Sequence, residues 1–103
     1  MSFLCYLNFS GGCYNLGLMY EEGKGVKQDD FKALKFYQKA CGLNFSGGCS
    51  NLGLMYEKGK GVRKSNTKAL KYYGKACDLE LALVLLFLTP LPSSNISPRL
   101  TGF

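Results

Sequence analysis

The sequence contains the same stretch twice. Residues 5–40 align with residues 41–76 without a gap, and 26 of the 36 aligned positions are identical. Both copies share a Leu-Asn-Phe-Ser-Gly-Gly-Cys run, which begins at Leu7 and at Leu43. A tandem repeat of this length is typical of a solenoid, in which each unit packs only against its neighbours. The repeat therefore limits the fold more than any other feature of the chain.

The apolar residues of each copy have helical spacing. In the first half of the unit the apolar positions and a glycine recur at i, i+3, i+4 and i+7, which is one face of a helix. These residues are Cys13, Leu16, Gly17 and Tyr20, repeated as Cys49, Leu52, Gly53 and Tyr56. A glycine in mid-helix costs about 1 kcal/mol of helix propensity, so its repetition indicates close approach of a neighbouring helix.

The second half of each unit predicts another amphipathic helix. Its apolar face comprises Ala33, Phe36, Tyr37 and Ala40, repeated as Ala69, Tyr72, Tyr73 and Ala76. The opposite face carries Lys32, Lys35 and Lys39, repeated as Lys68, Lys71 and Lys75, which indicates a solvated lysine stripe. The unit is thus an αα-hairpin, and the fold class is an all-α solenoid of about two units.

Polar residues and glycines predict where these helices begin and end. Ser10 and Ser46 are expected to cap the first helix of each unit, and Asp29 and Ser65 the second. Gly23 and its copy at 59 follow the first helices, where glycine enters the left-handed conformation at little cost. A phosphate-binding loop is disfavoured there, because the glycines follow a helix rather than a strand.

The five cysteines suggest disulfides rather than a metal site. Cys5 and Cys13 are eight residues apart, as are Cys41 and Cys49, a spacing that zinc sites do not favour. A short hairpin between two helices can bring such a pair within the Cα separation of about 4.4–6.8 Å that a disulfide needs. We therefore expect two staples, a free thiol at Cys77, no metal and no cofactor.

Composition narrows the function classes. The chain has no histidine, the commonest general base and metal ligand. Its formal net charge of +6 is explained by solubility more readily than by an anionic partner, and we expect no nucleic-acid partner. No apolar stretch reaches the roughly 20 residues that span a bilayer, and the N-terminal residues make a poor signal peptide.

The repeat loses its register after Leu79. We predict a repeat domain over residues 1–79, with units at 5–40 and 41–76 and the start of a third at Cys77. Residues 80–103 are expected to lie outside the repeat fold, with Glu80–Leu88 prolonging the last helix until Pro90 stops it. The sudden change suggests a truncated or frameshifted reading frame.

The repeated pattern resembles a known family. The first unit contains Leu16-Gly17-x-Met19-Tyr20, followed by Gly23-x-Gly25-Val26 and by the Lys-Ala and Tyr-x-Lys-Ala elements of residues 32–40. This pattern resembles the Sel1-like repeat, a relative of the tetratricopeptide repeat. The period and the cysteine pairs resemble the Helicobacter cysteine-rich proteins. That resemblance implies a secreted or periplasmic, disulfide-bridged αα-hairpin solenoid. It also implies penicillin binding or weak β-lactamase activity, and interaction with host cells.

One serine requires comment because serine β-lactamases use a Ser-x-x-Lys element. Ser65 and Lys68 match this spacing, but the aligned residue in the first unit is Asp29, and no Lys-Thr-Gly element is present. We therefore interpret Ser65 as a helix cap, and the catalytic residues, if any, are unknown.

A binding surface is the better-supported prediction. The first helix of each unit is expected to expose a row of residues that do not belong to its buried face, and we call this row the first-helix stripe. It comprises Asn15, Leu18 and Glu22, with Asn51, Leu54 and Lys58. In helical-hairpin solenoids such a row lines the concave surface. The alternative is that the two leucines cover flanking repeats or are isolated surface leucines, which are common on soluble proteins.

Three functions remain open at this point. The first is a secreted interaction module for a peptide, a peptidoglycan fragment or a host protein. The second is a penicillin-binding protein or β-lactamase acting on β-lactams, which the resemblance alone implies. The third is a non-functional truncated fragment.

Overall fold

The computed structural model describes residues 2–88, which form a chain of helices without strands. The helices are α1 (Ser2–Tyr6), α2 (Ser10–Glu22), α3 (Asp30–Gly42), α4 (Ser46–Lys58) and α5 (Asn66–Leu88). Each helix packs mainly on the next one in sequence. The pairs α2–α3 and α4–α5 are the two predicted hairpins, so the all-α solenoid is confirmed.

The caps of the second helices are as predicted. Asp29 accepts a hydrogen bond from the backbone N–H of Lys32 at 3.1 Å, and the Ser65 hydroxyl accepts one from Lys68 at 3.2 Å. Each side chain satisfies one of the N–H groups that a helix start leaves unpaired.

The prediction that Ser10 and Ser46 cap the first helices is wrong. The cap positions are taken by Phe9 and Phe45, which are extended and make no side-chain cap. The serines are the first helical residues instead. The reason lies in the preceding turn, where Asn8 and its copy at 44 adopt left-handed φ angles of 63° and 67°. Asparagine tolerates that conformation, and the turn delivers the phenylalanine to the cap position.

Glycines let the two helices of each hairpin approach closely. A Cβ at Gly17 would lie 2.6 Å from Cε1 of Tyr37, and one at Gly53 would lie 2.7 Å from Cε1 of Tyr73. Tyr37 is fully buried, so the ring occupies the space that the missing side chain leaves. The predicted packing role of the mid-helix glycines is confirmed.

Two disulfides join consecutive helices. Cys5 bonds to Cys13 with a Cα separation of 4.5 Å, and Cys41 bonds to Cys49 with a separation of 4.6 Å. Closing a loop of about nine residues contributes on the order of 2.6 kcal/mol in the chain-entropy model. Cys77 carries a free, exposed thiol, as predicted.

Burial shows how the second unit covers the end of the first. Leu34 on α3 is only 4% exposed, whereas its copy Leu70 on α5 is 71% exposed. The Cβ position of Gly61, in the loop after α4, lies 2.6 Å from the carbonyl oxygen of Asp30. The loop and α4 therefore pack against the start of α3. Within residues 2–88 the equivalent face of α5 is exposed to solvent.

The last helix continues beyond the repeat. It extends to Leu88, and residues 81–88 are exposed. The expected end of the helix at Pro90 lies outside the described residues, as does most of the predicted tail at 80–103. Across residues 2–88, no helix is both long enough and apolar enough to cross a bilayer.

Candidate functional site

The first-helix stripe lies on α2 and α4. Its members are three and four residues apart, so each set shares one face of its helix. Asn15, Glu22 and Lys58 are exposed, and Asn51 is half-buried. The stripe therefore offers two amides, repeated one unit apart, and charges of opposite sign at its far end.

The two leucines of the stripe differ in their surroundings. Leu18 is half-buried and packs against a core cluster that α3 of the first hairpin shares with α4 and α5 of the second. Its copy Leu54 is 40% exposed. For Leu18 this geometry favours the alternative that the side chain covers the neighbouring repeat, which leaves Leu54 as the apolar residue of the stripe that a ligand can reach.

A polar network beside the stripe ties the units together. The Tyr37 hydroxyl donates to Oε1 of Glu21 at 2.6 Å, and the Lys60 ammonium donates to Oε2 at 3.0 Å. Glu21 belongs to the first unit and Lys60 to the second, so one carboxylate joins the end of α2 to the loop after α4. This contact holds the two halves of the stripe side by side.

The network shifts the pKa values of its members. Burial raises the pKa of the Tyr37 phenol far above its usual value, and the carboxylate of Glu21 adds to the effect, while a hydrogen bond from Asn51 opposes it. Burial by itself would raise the pKa of the Glu21 carboxyl. The hydrogen bonds from Tyr37 and Lys60, together with the positive charge of Lys60, outweigh burial and hold this pKa below its usual value. The hydrogen bond to Glu21 raises the pKa of Lys60.

Sequence reasoning missed this network. Glu21 was not singled out, although it is identical in the two units as Glu57, and Tyr37 is repeated as Tyr73. In the second unit Tyr73 donates to Glu57 at 2.6 Å. A polar pair that recurs unchanged between repeats was the available signal for an interaction that the fold needs.

The Ser-x-x-Lys element has the geometry of a cap. The Ser65 hydroxyl accepts from a backbone N–H, and the Lys68 ammonium lies over the ring of Tyr56, 5.5 Å from its centroid. The two side chains do not hydrogen-bond to each other within the described chain, although a serine nucleophile needs an adjacent base. This arrangement supports the interpretation of Ser65 as a structural residue.

Comparison with known proteins places these features in a family. The Sel1 repeat family model matches residues 10–45 and 46–81. These units have the predicted period but begin at the first helix, five residues after the predicted starts at 5 and 41. The chain therefore belongs to the Sel1 repeat family, whose members generally mediate protein interactions.

Three solved structures are similar to the chain. Helicobacter pylori cysteine-rich protein B is 51% identical, with a TM-score of 0.71 over 73% of this chain and 56% of that one. A protective antigen of uropathogenic Escherichia coli with an SLR fold is 33% identical, with a TM-score of 0.69 over 71% of this chain and 16% of that one. A Sel1 repeat protein from Oxalobacter formigenes is 38% identical, with a TM-score of 0.67 over 78% of this chain and 35% of that one.

The match to the Helicobacter pylori protein thus spans little more than half of that protein's length. A search of curated proteins gave no match. The two disulfides, which persist in oxidising compartments, and the cysteine-rich relative indicate an extracytoplasmic location.

Proposed function

We propose that the chain is a secreted interaction module that binds an extended peptide, or the peptide stem of a peptidoglycan fragment, along the first-helix stripe. The observation that supports this most is the pair of amides repeated one unit apart, at Asn15, which is exposed, and at Asn51, which is half-buried and uses part of its hydrogen-bonding capacity on Tyr37. An asparagine side chain both donates and accepts hydrogen bonds, which matches the groups of a peptide backbone. Leu54 beside them adds an apolar contact for a ligand side chain.

The chemistry of the stripe favours binding over catalysis. Its members are amides, leucines and one charge of each sign, and none is a nucleophile. Glu22 is exposed and pairs weakly with Lys24 at 3.5 Å, so the stripe has no strongly held charge. A ligand held mainly by amide hydrogen bonds and apolar contacts follows from this composition.

Binding of a soluble muropeptide, a disaccharide carrying a tetrapeptide, tests the proposal by calorimetry. Asn15→Ala is expected to weaken binding about fivefold and Asn15→Ala with Asn51→Ala about tenfold or more, since each lost hydrogen bond is worth roughly 0.5–1.5 kcal/mol. Asn66→Ala is the matched control, because Asn66 is exposed on α5 outside the stripe. Equal affinity of the stripe variants and the control would contradict the proposal, as would failure of both the muropeptide and its free tetrapeptide to bind.

Secretion is a separate part of the proposal, and its support is the two disulfides. Protein recovered from the culture medium of its own cells is expected to contain one reactive thiol, that of Cys77. Titration with a thiol reagent after denaturation measures this number. Recovery in the cytoplasm with five reactive thiols would contradict secretion without bearing on the stripe.

A further inference from the structure

Two grooves with the same construction lie beside the second helices. The first has a volume of about 460 Å³ and the second about 370 Å³. At equivalent positions of the repeat both are lined by one cysteine of a disulfide, two lysines and an aromatic ring, and the first is lined in addition by Lys32 and by the rings of Tyr6 and Tyr20. We call them the lysine grooves: Cys5, Lys35, Phe36 and Lys39 in the first, and Cys41, Lys71, Tyr72 and Lys75 in the second.

The lysines of these grooves lack acidic partners. They are four residues apart, about 6 Å along the helix, so both ammonium groups of a groove project on one side. Within residues 2–88 none of the four forms an ion pair; the two ion pairs there involve Lys24 and Lys60. Instead, Lys35 lies over the ring of Phe31 at 5.3 Å from its centroid, and Lys71 over Tyr72 at 5.5 Å. Lys35, Lys39 and Lys71 are exposed and Lys75 is half-buried, so the two grooves carry four positive charges that no acidic side chain of residues 2–88 pairs with.

Each groove also presents a flat apolar surface. Phe36 stacks on Tyr20 with centroids 5.6 Å apart and planes 9° from parallel. Tyr72 stacks on Tyr56 at the same distance with planes 16° apart. Phe36 and Tyr72 are half-buried, so one part of each ring is fixed by the core and the other is open to the groove.

We propose that the lysine grooves bind an anionic polysaccharide. A ligand suited to them carries negative groups for the lysines and flat apolar faces for the rings, and it repeats along its length as the grooves do. Sulfated or carboxylated sugar chains have all three properties. A bilayer would need aromatic groups that protrude, whereas these rings are recessed in grooves. Disulfides indicate an oxidising compartment, where nucleic acid is not the usual polyanion.

Calorimetry with a heparin-derived oligosaccharide tests the proposal on the wild-type chain and two sets of variants, each losing four positive charges. The groove set neutralises Lys35, Lys39, Lys71 and Lys75 to glutamine. The control set neutralises exposed residues outside the grooves, Lys24, Lys27, Arg63 and Lys64. The groove set is expected to weaken binding about tenfold or more and the control set about threefold or less, because exposed charges at a distance are screened. Equal weakening by the two sets would overturn the proposal.

The aromatic part of the proposal has its own variant. Phe36→Leu with Tyr72→Leu keeps the charges and much of the apolar volume but removes the flat faces. This double variant is expected to lower the affinity for the oligosaccharide at least about threefold. It should leave the affinity for short duplex DNA unchanged, since DNA binding depends mainly on phosphate contacts. Loss of both ligands to the same extent would overturn the polysaccharide assignment.

A measurement on the unaltered protein makes the result independent of variant folding. Acetylation of surface lysines, followed by mass spectrometry, is expected to show protection of Lys35 and Lys71 by the oligosaccharide and none by neutral dextran of equal length. Lys27 serves as the internal control and is expected to react equally with and without the ligand. Tighter binding to duplex DNA, or to vesicles of phosphatidylcholine and phosphatidylglycerol, than to the oligosaccharide would overturn the proposal.

Discussion

Lys60 of the second repeat donates a hydrogen bond to Glu21 of the first repeat at 3.0 Å. The same carboxylate accepts a hydrogen bond from the hydroxyl of the buried Tyr37. In the second unit Glu57 accepts a hydrogen bond from the Tyr73 hydroxyl in the same way, but no lysine of residues 2–88 pairs with Glu57. The Glu-Tyr pair is thus a property of each hairpin, and the lysine is what the following unit adds when it docks.

The contact between Lys60 and Glu21 is expected to contribute modestly to stability. A double-mutant cycle with Lys60→Gln and Glu21→Gln, measured by urea unfolding, should give a coupling energy of about 0.5–1 kcal/mol, since both side chains are partly exposed. The control pair is Lys24 and Glu22, which are more exposed and 3.5 Å apart. Its coupling should be close to zero. A control coupling as large as that of Lys60 with Glu21 would contradict a specific role in docking.

Acid should weaken the same contact. The pKa of Glu21 is lowered in the folded chain, so the unfolded chain binds a proton first as the pH falls below about 4.3. The stabilisation from Glu21 is therefore complete above that pH and is lost as the pH falls through the folded pKa. Glu21→Gln should flatten the acid side of the stability curve, and a curve as steep as that of the parent would show that other carboxylates cause it.

Tyr37 should cause a loss of stability at alkaline pH. Its pKa is raised in the folded chain, so above about pH 10 the unfolded chain releases a proton that the folded chain retains. The free energy of unfolding then falls as the pH rises, and Tyr37→Phe should reduce the slope. Tyr73, whose pKa is raised to about 12 by burial and by its bond to Glu57, should titrate before Tyr37. NMR of ¹³C-labelled tyrosine measures the order, and the reverse order would contradict the difference in burial.

Gly17 and Gly74 should respond oppositely to alanine. At Gly17 the new Cβ would lie 2.6 Å from the ring of Tyr37, and overpacking of this kind costs about 1–3 kcal/mol. At Gly74, within α5, no atom lies within 4 Å of the new Cβ, so Gly74→Ala should gain up to about 1 kcal/mol of helix propensity. Urea unfolding measures both variants. A stabilised Gly17→Ala would show that the close approach of α2 and α3 is not required.

Much of this fold could be predicted from the sequence because repetition reveals the faces of helices. The packing of Gly17, the cysteine pairs and the cap at Asp29 all depend on residues close in sequence or on one helix face. The prediction that Ser10 caps its helix failed because the left-handed turn at Asn8, rather than the preference of serine for cap positions, sets where the helix begins. Glu21 was missed because its lysine partner is 39 residues away, and helical periodicity gives no information about contacts between units.

The position of the candidate site was harder to predict for the same reason. Leu18 and Leu54 occupy the same position of the repeat, yet among residues 2–88 only Leu18 packs against a core cluster. The lysine stripe was expected to be solvated, and five of its lysines are exposed while Lys75 is half-buried. Its arrangement around two aromatic grooves depends on the stacking of α1, α3 and α5, which no single unit shows.

Ser65 should behave as a cap and not as a nucleophile. Ser65→Ala removes the side-chain acceptor for the N–H of Lys68 and should cost about 1 kcal/mol of stability. Ser50→Ala, within α4, is the matched control and should change stability little. The rate of hydrolysis of a chromogenic β-lactam should be the same for Ser65→Ala and the parent. A folded variant that loses an activity of the parent would instead identify Ser65 as catalytic.

The most direct test of the proposed function is where a ligand touches the protein. Titration of the ¹⁵N-labelled chain with the muropeptide reports every backbone amide and the side-chain amides of Asn15 and Asn51 in one experiment. We expect the largest shifts at those two side chains and at the backbone of Leu54. Saturable shifts confined to other surfaces, or none at ligand concentrations that saturate in calorimetry, would contradict binding along the first-helix stripe.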